Sequence, residues 1–314
     1  MNHPEIMLMI IQLVALIIIS PLITGIMRKI KALMQHKVGA SIFQPYRDLR
    51  KLIRKESVVS ENASFLFRLV PYICMTAMLL LAAMTPFIYT GVIAPYADVI
   101  AMVYIFTMFR FAMVLGGLEG GSAFGGMGSS REVMMSVLIE PALLISIMTL
   151  SAMTGAGFDI TEISRSINSA GAAAISPALL LAGAAFVITM VAENTRVPFD
   201  NPDTHLELTM VHEGMLLEYS GKGLAMMELA SMLRLTIFMV LLGTMFFPWG
   251  TAMTMSFPDL VLSMAVMAVK LLAIAFGIAL LESTVAKMRV FRMPNMLTAS
   301  FALSLMAMIS LYVL

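Results

Sequence analysis

Six carboxylates crowd one polar stretch of an otherwise apolar chain. They are Glu193, Asp200, Asp203, Glu207, Glu213 and Glu218, set against only Arg196 and Lys222. Like charges this close raise one another's pKa, so members of such a group can take up and release protons near neutral pH. Elsewhere Arg110, Glu140, Arg234 and Lys270 fall inside long apolar runs, and Glu132, Glu228 and Glu282 fall near the ends of such runs. A charge at a bilayer centre costs about 2.5–3.5 kcal/mol on insertion scales, and intramembrane ionisable groups are functional by default. These side chains must therefore face one another, water or a partner subunit. Together they suggest a proton or ion relay from the acidic stretch into the bilayer. The blander alternatives are a solvated acidic loop and a few buried ion pairs that only fix packing.

Other chemistries fit these residues poorly. His205 and His212 beside acids suggest a metal, but Leu216 stands where a His-Glu-x-x-His motif needs its second histidine. Cys74 is the single cysteine, so the chain holds neither an internal disulfide nor a cysteine-ligated cluster of its own. Scattered methionines, 33 in all, read as adaptable packing rather than copper ligation. The glycine-rich segment 116–131 has no Gly-Lys-Ser/Thr ending and no strand before it, so it is not a nucleotide loop. It reads as a tight, close-packed turn, with Ser129 and Glu132 forming a capping box that opens the next helix.

The elements that must position these groups are membrane spans. Of 314 residues, 60% are hydrophobic and 12% charged, with mean hydropathy +0.93. Soluble domains run near half apolar and a quarter charged. The chain is therefore read as an all-α integral membrane protein, a single membrane domain over 1–314. Windows of about 20 apolar residues give eight spans, at 5–27, 69–90, 99–118, 132–154, 176–193, 224–247, 258–281 and 296–314. The first is read as retained, because no cation precedes Arg28.

Sixteen of the 20 Lys and Arg fall in alternate intervening segments on one side, against Arg165 alone on the other. That asymmetry places both termini outside and the segments 28–68 and 194–223 in the cytoplasm, in the cell membrane. Net charge is +1, which leaves no basic field for nucleic acid. No internal repeat is visible, which weakens a stand-alone secondary transporter.

Within 28–68, Phe43, Tyr46, Leu49 and Ile53 recur at helical spacing opposite Arg47, Arg50, Lys51, Arg54 and Lys55. This predicts a basic amphipathic helix in the headgroup region, serving as a lipid anchor or as a docking collar. In the acidic segment, Asn201-Pro202 predicts a helix start and Gly221 its stop. On that helix Asp203, Glu207 and Glu218 would lie within roughly 60° of one another, with His205 and His212 opposite.

The stretch 193–221, ENTRVPFDNPDTHLELTMVHEGMLLEYSG, resembles the loop between the fifth and sixth spans of membrane subunit 1 of respiratory complex I. It is closer still to the homologous subunit of energy-converting membrane-bound nickel–iron hydrogenases of the formate hydrogenlyase type. QPYRDLRKLIRKE at 44–56, SSREVMMSVLIEPALL at 129–144 and the eight spans extend the match over nearly the whole chain. The resemblance implies a core subunit under a cytoplasmic redox arm, coupling electron transfer to proton or sodium movement. Its acidic path maps onto Glu140, Glu193, Asp200, Glu207, Glu213 and Glu218, joined by the in-span Lys270 and by Asp203. Arg196 and the cations of the 47–55 helix would face docked electron-transfer subunits.

The implied partners are the hydrogenase large and small subunits, an iron–sulfur subunit and antiporter-like membrane subunits. The nickel–iron centre and iron–sulfur clusters would reside in those chains, with no cofactor in this one. Complex I subunits carry an Arg-Gly-Pro-Asn-like turn where this chain reads His36-Lys37-Val38-Gly39-Ala40, which points away from a quinone site.

Overall fold

A computed structural model describes residues 3–60, 63–89, 98–200, 210–252 and 256–313. Eleven α-helices run in chain order: α1 (His3–Met34), α2 (Gln44–Arg54), α3 (Phe65–Met84), α4 (Val99–Glu119), α5 (Ala123–Thr154), α6 (Ile160–Ala170), α7 (Pro177–Glu193), α8 (His212–Leu216), α9 (Gly221–Leu241), α10 (Phe257–Thr284) and α11 (Met293–Val313). Among the described residues there is no strand, only the isolated bridges Tyr89↔Ala252 and Asp98↔Asp159. Each of the eight predicted spans falls on a helix, although α3 ends at Met84, short of the expected 90. Seven are long and apolar enough to cross a membrane, and α7, at 17 residues, is the short one.

Local chemistry explains the helix starts. Ser64, Asp98, Ser122, Asp159, Ser176 and Ser256 each accept a backbone N–H from the first turn of the following helix. The α9 helix is the axis of the bundle, with 89% of its apolar window buried, whereas α1, α10 and α11 lie at the periphery. Around it, α3 packs on α4 and α9, α1 on α9 and α10, and α11 on α5 and α7.

Three expectations are corrected. The glycine-rich segment is mostly helix: α4 runs through Gly116 and Gly117, and α5 starts at Ala123 behind Ser122. Ser129 caps nothing; it sits inside α5 and donates to the Val114 carbonyl at 3.0 Å. The close packing is real. A Cβ on Gly125 would lie 2.3 Å from the Gly117 carbonyl oxygen, and one on Gly128 would lie 2.6 Å from the Val211 oxygen. Backbone against backbone leaves no room for a side chain to give way.

Second, no single helix ends at Gly221. Residues 201–209, with Asp203, His205 and Glu207, lie outside the described residues; Met210 and Val211 are not helical, α8 is only five residues, and Gly221 opens α9. Third, α2 buries Pro45 and Leu49, with Leu52 against Ala225 and Met232 of α9, while Phe43 and Ile53 are exposed. The Tyr46 hydroxyl donates to the Ile18 carbonyl of α1. Protein contacts, not the headgroup layer alone, hold this helix. The α6 helix is an addition, lying between two spans. Ile160, Ile163 and Ile167 point one face of it into the core.

Candidate functional site

The site starts from the shortness of α7. Seventeen residues rise about 26 Å, less than the roughly 30 Å hydrocarbon core, and its C-terminal end and residues 194–200 beyond it are sunk inside the bundle. Glu193, Asn194, Thr195 and Asp200 are all buried. Thr195 closes the helix in the left-handed region at φ 47°, and the Arg196 N–H returns to the Val191 carbonyl at 3.0 Å. That closure matches the usual left-handed helix stop, with a β-branched residue in the place glycine normally takes. It holds Glu193 pointing inward and swings Arg196 back over the bundle.

Glu193 sits at the negative end of α7's dipole, an unfavourable place for an acid unless a cation answers it. Arg110, near the middle of α4, does so. Its Nη2 meets Glu193, its Nη1 lies 2.9 Å from Glu140 Oε1, and its Nε lies 3.3 Å from Glu132 Oε1. One guanidinium therefore ties three carboxylates on two helices, Glu132 and Glu140 being two turns apart on α5. Arg110, Glu132 and Glu193 are almost wholly buried, while the Glu140 side chain keeps 32% of its surface. Pro141, next to Glu140, has no N–H to return to the carbonyl one turn back, which loosens the helix where that carboxylate sits. Arg234 of α9 is fully buried with its guanidinium 4.9 Å above the Phe109 ring. It lies within electrostatic reach of Glu132, as does Asp200.

A second layer lies at the basic side of the bundle. Glu282 of α10 receives Arg196 at 3.3 Å and Lys31 at 3.5 Å. Asp200 receives Lys287 at 2.9 Å and the Val211 N–H at 3.0 Å. A polar cavity of about 90 Å³ opens beside this layer, lined by Thr24, Arg28, Asn194, Arg196, His212 and Glu213. Burial, with Arg234 and Arg196 nearby, pushes the His212 imidazole down to about 3, so it is neutral at physiological pH and carries no charge there. Burial likewise raises the Tyr219 phenol, which stays protonated. Glu218 packs its side chain against Gly120 at the end of α4.

Of the expected path, the structure thus gathers Glu140 and Glu193 in one cluster, sets Asp200 in the layer above with Glu213 lining the cavity beside it, and packs Glu218 against Gly120. It separates Lys270. That ammonium donates to the carbonyls of Phe247 at 2.5 Å and Gly243 at 3.3 Å, closing the π-helical turn Leu242–Phe246 that continues α9, where helix carbonyls are orphaned. Arg196 turns inward to Glu282, whereas Arg47, Arg50, Lys51, Arg54 and Lys55 are exposed. Arg110 as the hub, Glu132 beside it and Glu282 in the second layer stood out as charges in or beside apolar runs, but were not assigned to the acidic path. That placement was the available signal. Among the described residues no three of His, Cys, Asp and Glu come together as metal ligands, and Cys74 is buried with its thiol toward the Phe109 carbonyl at 3.8 Å.

Comparison with known proteins agrees with this architecture. The family described as NADH dehydrogenase matches residues 6–313. Hydrogenase-4 component C of Escherichia coli is 34% identical over 304 residues, covering 94% of this chain and 92% of that one. Formate hydrogenlyase subunit 4 of the same organism is 32% identical, covering 96% of this chain and 97% of its own. A chain in the structure of the membrane-bound sulfane sulfur reductase, an archaeal respiratory membrane complex, shares the fold with TM-score 0.83 at 18% identity, over 98% of this chain and 99% of that one.

Proposed function

The chain belongs to the NADH dehydrogenase family, and from that premise we propose that it is the membrane core subunit of an energy-converting hydrogenase complex. It docks a cytoplasmic redox arm and couples electron transfer to proton or sodium translocation. The observation that carries this reading is the Arg110 cluster. Three carboxylates and a guanidinium, three of them almost fully buried, run from the sunken end of α7 to the middle of α5. Burying such a group costs far more than packing requires, since apolar residues of similar volume often serve stability as well or better.

Electron transfer in the arm changes charge or hydration at the layer of Asp200 and Glu282. Asp200 lies within electrostatic reach of Glu132, so a change there alters how Arg110 is shared. A proton or ion then passes from Glu193 toward Glu140, whose partly open side chain leads to a neighbouring membrane subunit. Nickel–iron and iron–sulfur centres belong to partner chains: hydrogenase large and small subunits, an iron–sulfur subunit and antiporter-like subunits. The exposed cations of α2 form the docking collar, and the complex sits in the cell membrane.

Extraction in mild detergent followed by metal analysis tests the assignment. The chain should emerge with iron- and nickel-containing soluble chains and hydrogenase activity. Emergence alone, or with quinone-dependent activity blocked by a quinone-site inhibitor, contradicts it.

A further inference from the structure

We propose that the groove between the first turns of α3 and α9 binds the headgroup of an anionic glycerophospholipid. The groove, about 220 Å³, is walled by Arg68, Pro71 and Tyr72 of α3 and by Lys222, Gly223 and Met226 of α9. Each wall carries a cation at its mouth and apolar surface one turn deeper, because positions four apart stack on a helix face. That is the profile of a ligand with a negative head and an apolar tail. Arg68 and Lys222 are both exposed, and neither makes an ion pair among the described residues. The bordering carboxylates Glu56 and Glu119 do not line the groove.

The site is built rather than incidental. Its roof is the segment after α2: the Ser220 hydroxyl donates to the Val58 carbonyl at 2.6 Å and accepts the Val58 N–H at 2.7 Å. The Lys222 N–H donates to the Ser57 hydroxyl at 3.2 Å. Gly221, at φ +54°, lets this roof close, since a Cβ there would lie 2.7 Å from the Glu56 carbonyl oxygen. The floor is Phe67 stacked on Tyr219, ring centroids 4.1 Å apart and 7° from parallel.

Position and size select a lipid over a free anion. The groove lies at the first turn of two spans, the level of lipid phosphates, and Leu69 and Tyr72 face outward beside it. Its volume is below the roughly 300–1,000 Å³ of pockets that enclose a whole small molecule. A phosphate and glycerol therefore fit within it while the acyl chains lie along α3 in the bilayer. Basic clusters just inside a span attract anionic lipid in this way.

The test uses the intact complex, delipidated in detergent, with lipid binding read by native mass spectrometry. Three forms are compared: wild type, the double variant R68Q/K222Q, and M226W, which fills the apolar end and leaves both cations. Phosphatidylglycerol should bind wild type, and its affinity should fall about tenfold in each variant. Neither phosphatidylcholine nor inorganic phosphate should compete. The proposal is overturned if both variants keep their phosphatidylglycerol, or if phosphatidylcholine binds wild type equally. It is also overturned if inorganic phosphate displaces the lipid, or if R68Q/K222Q loses a partner protein and not a lipid.

Discussion

Arg110 holds three acids at once, so its removal strands charges in the bilayer. Breaking a buried pair from one side costs about 3–5 kcal/mol. Arg110→Met should therefore lower the thermal stability of the complex by that order, and adding Glu132→Gln and Glu193→Gln should restore most of it. No restoration would mean that Arg110 stabilises by packing rather than by charge. His212 makes a prediction about pH. Its ordinary value is near 6.5, and in the fold it stands at about 3. An unfolded chain thus binds a proton below 6.5 that the folded chain refuses. Stability is intact above 6.5 and falls as pH drops toward 3, by about 1.4 kcal/mol per pH unit. His212→Gln should remove that part of the acid sensitivity, measured by thermal unfolding between pH 7 and 5.

Helix crossings set where these residues stand. The α4–α5 hairpin closes on glycines, and α8 lies across it at Gly128, so Glu132 and Glu140 face Arg110 only because the backbones touch. Gly128→Val should abolish assembly or expose the cluster. Gly126→Ala, with nothing within 4 Å of the added carbon, should be neutral or stabilise α5 by up to about 1 kcal/mol. Comparable losses from both would deny the crossing its role. The spans were legible in the chain because apolar length and cation placement are bulk properties. The start of α5 was not, since a run of glycines reads as a turn until a second backbone is known to lie against it. The α2 face was misread by about a quarter of a turn, with Pro45 and Leu52 beside Leu49 in place of Phe43 and Ile53, because α1 and α9 compete with lipid for its apolar residues. Asp203 and Glu207, outside the described residues, were assigned to one continuous helix from an Asn-Pro start and a glycine stop, but beyond Val211 the helix breaks after Leu216 and Gly221 opens the next one.

Over the whole molecule, charge is arranged in two layers. One is the rim of Arg196, Lys31, Glu282, Asp200 and Lys287; the other is the Arg110 cluster below it. In-span charges announced a buried polar system from their sequence positions, but which acid meets which cation depended on the sunken end of α7. Lys270 shows the limit of that inference, being as deep in an apolar run as Arg110 yet used to close a helix end.

The most direct measurement is ion uptake by sealed vesicles holding the intact complex, followed during hydrogenase turnover in wild type, Glu140→Gln and Glu193→Gln. Uptake per electron pair should fall to background in both variants while the assembled complex and its hydrogen chemistry persist. Uptake at the wild-type ratio in both would contradict a route through these carboxylates.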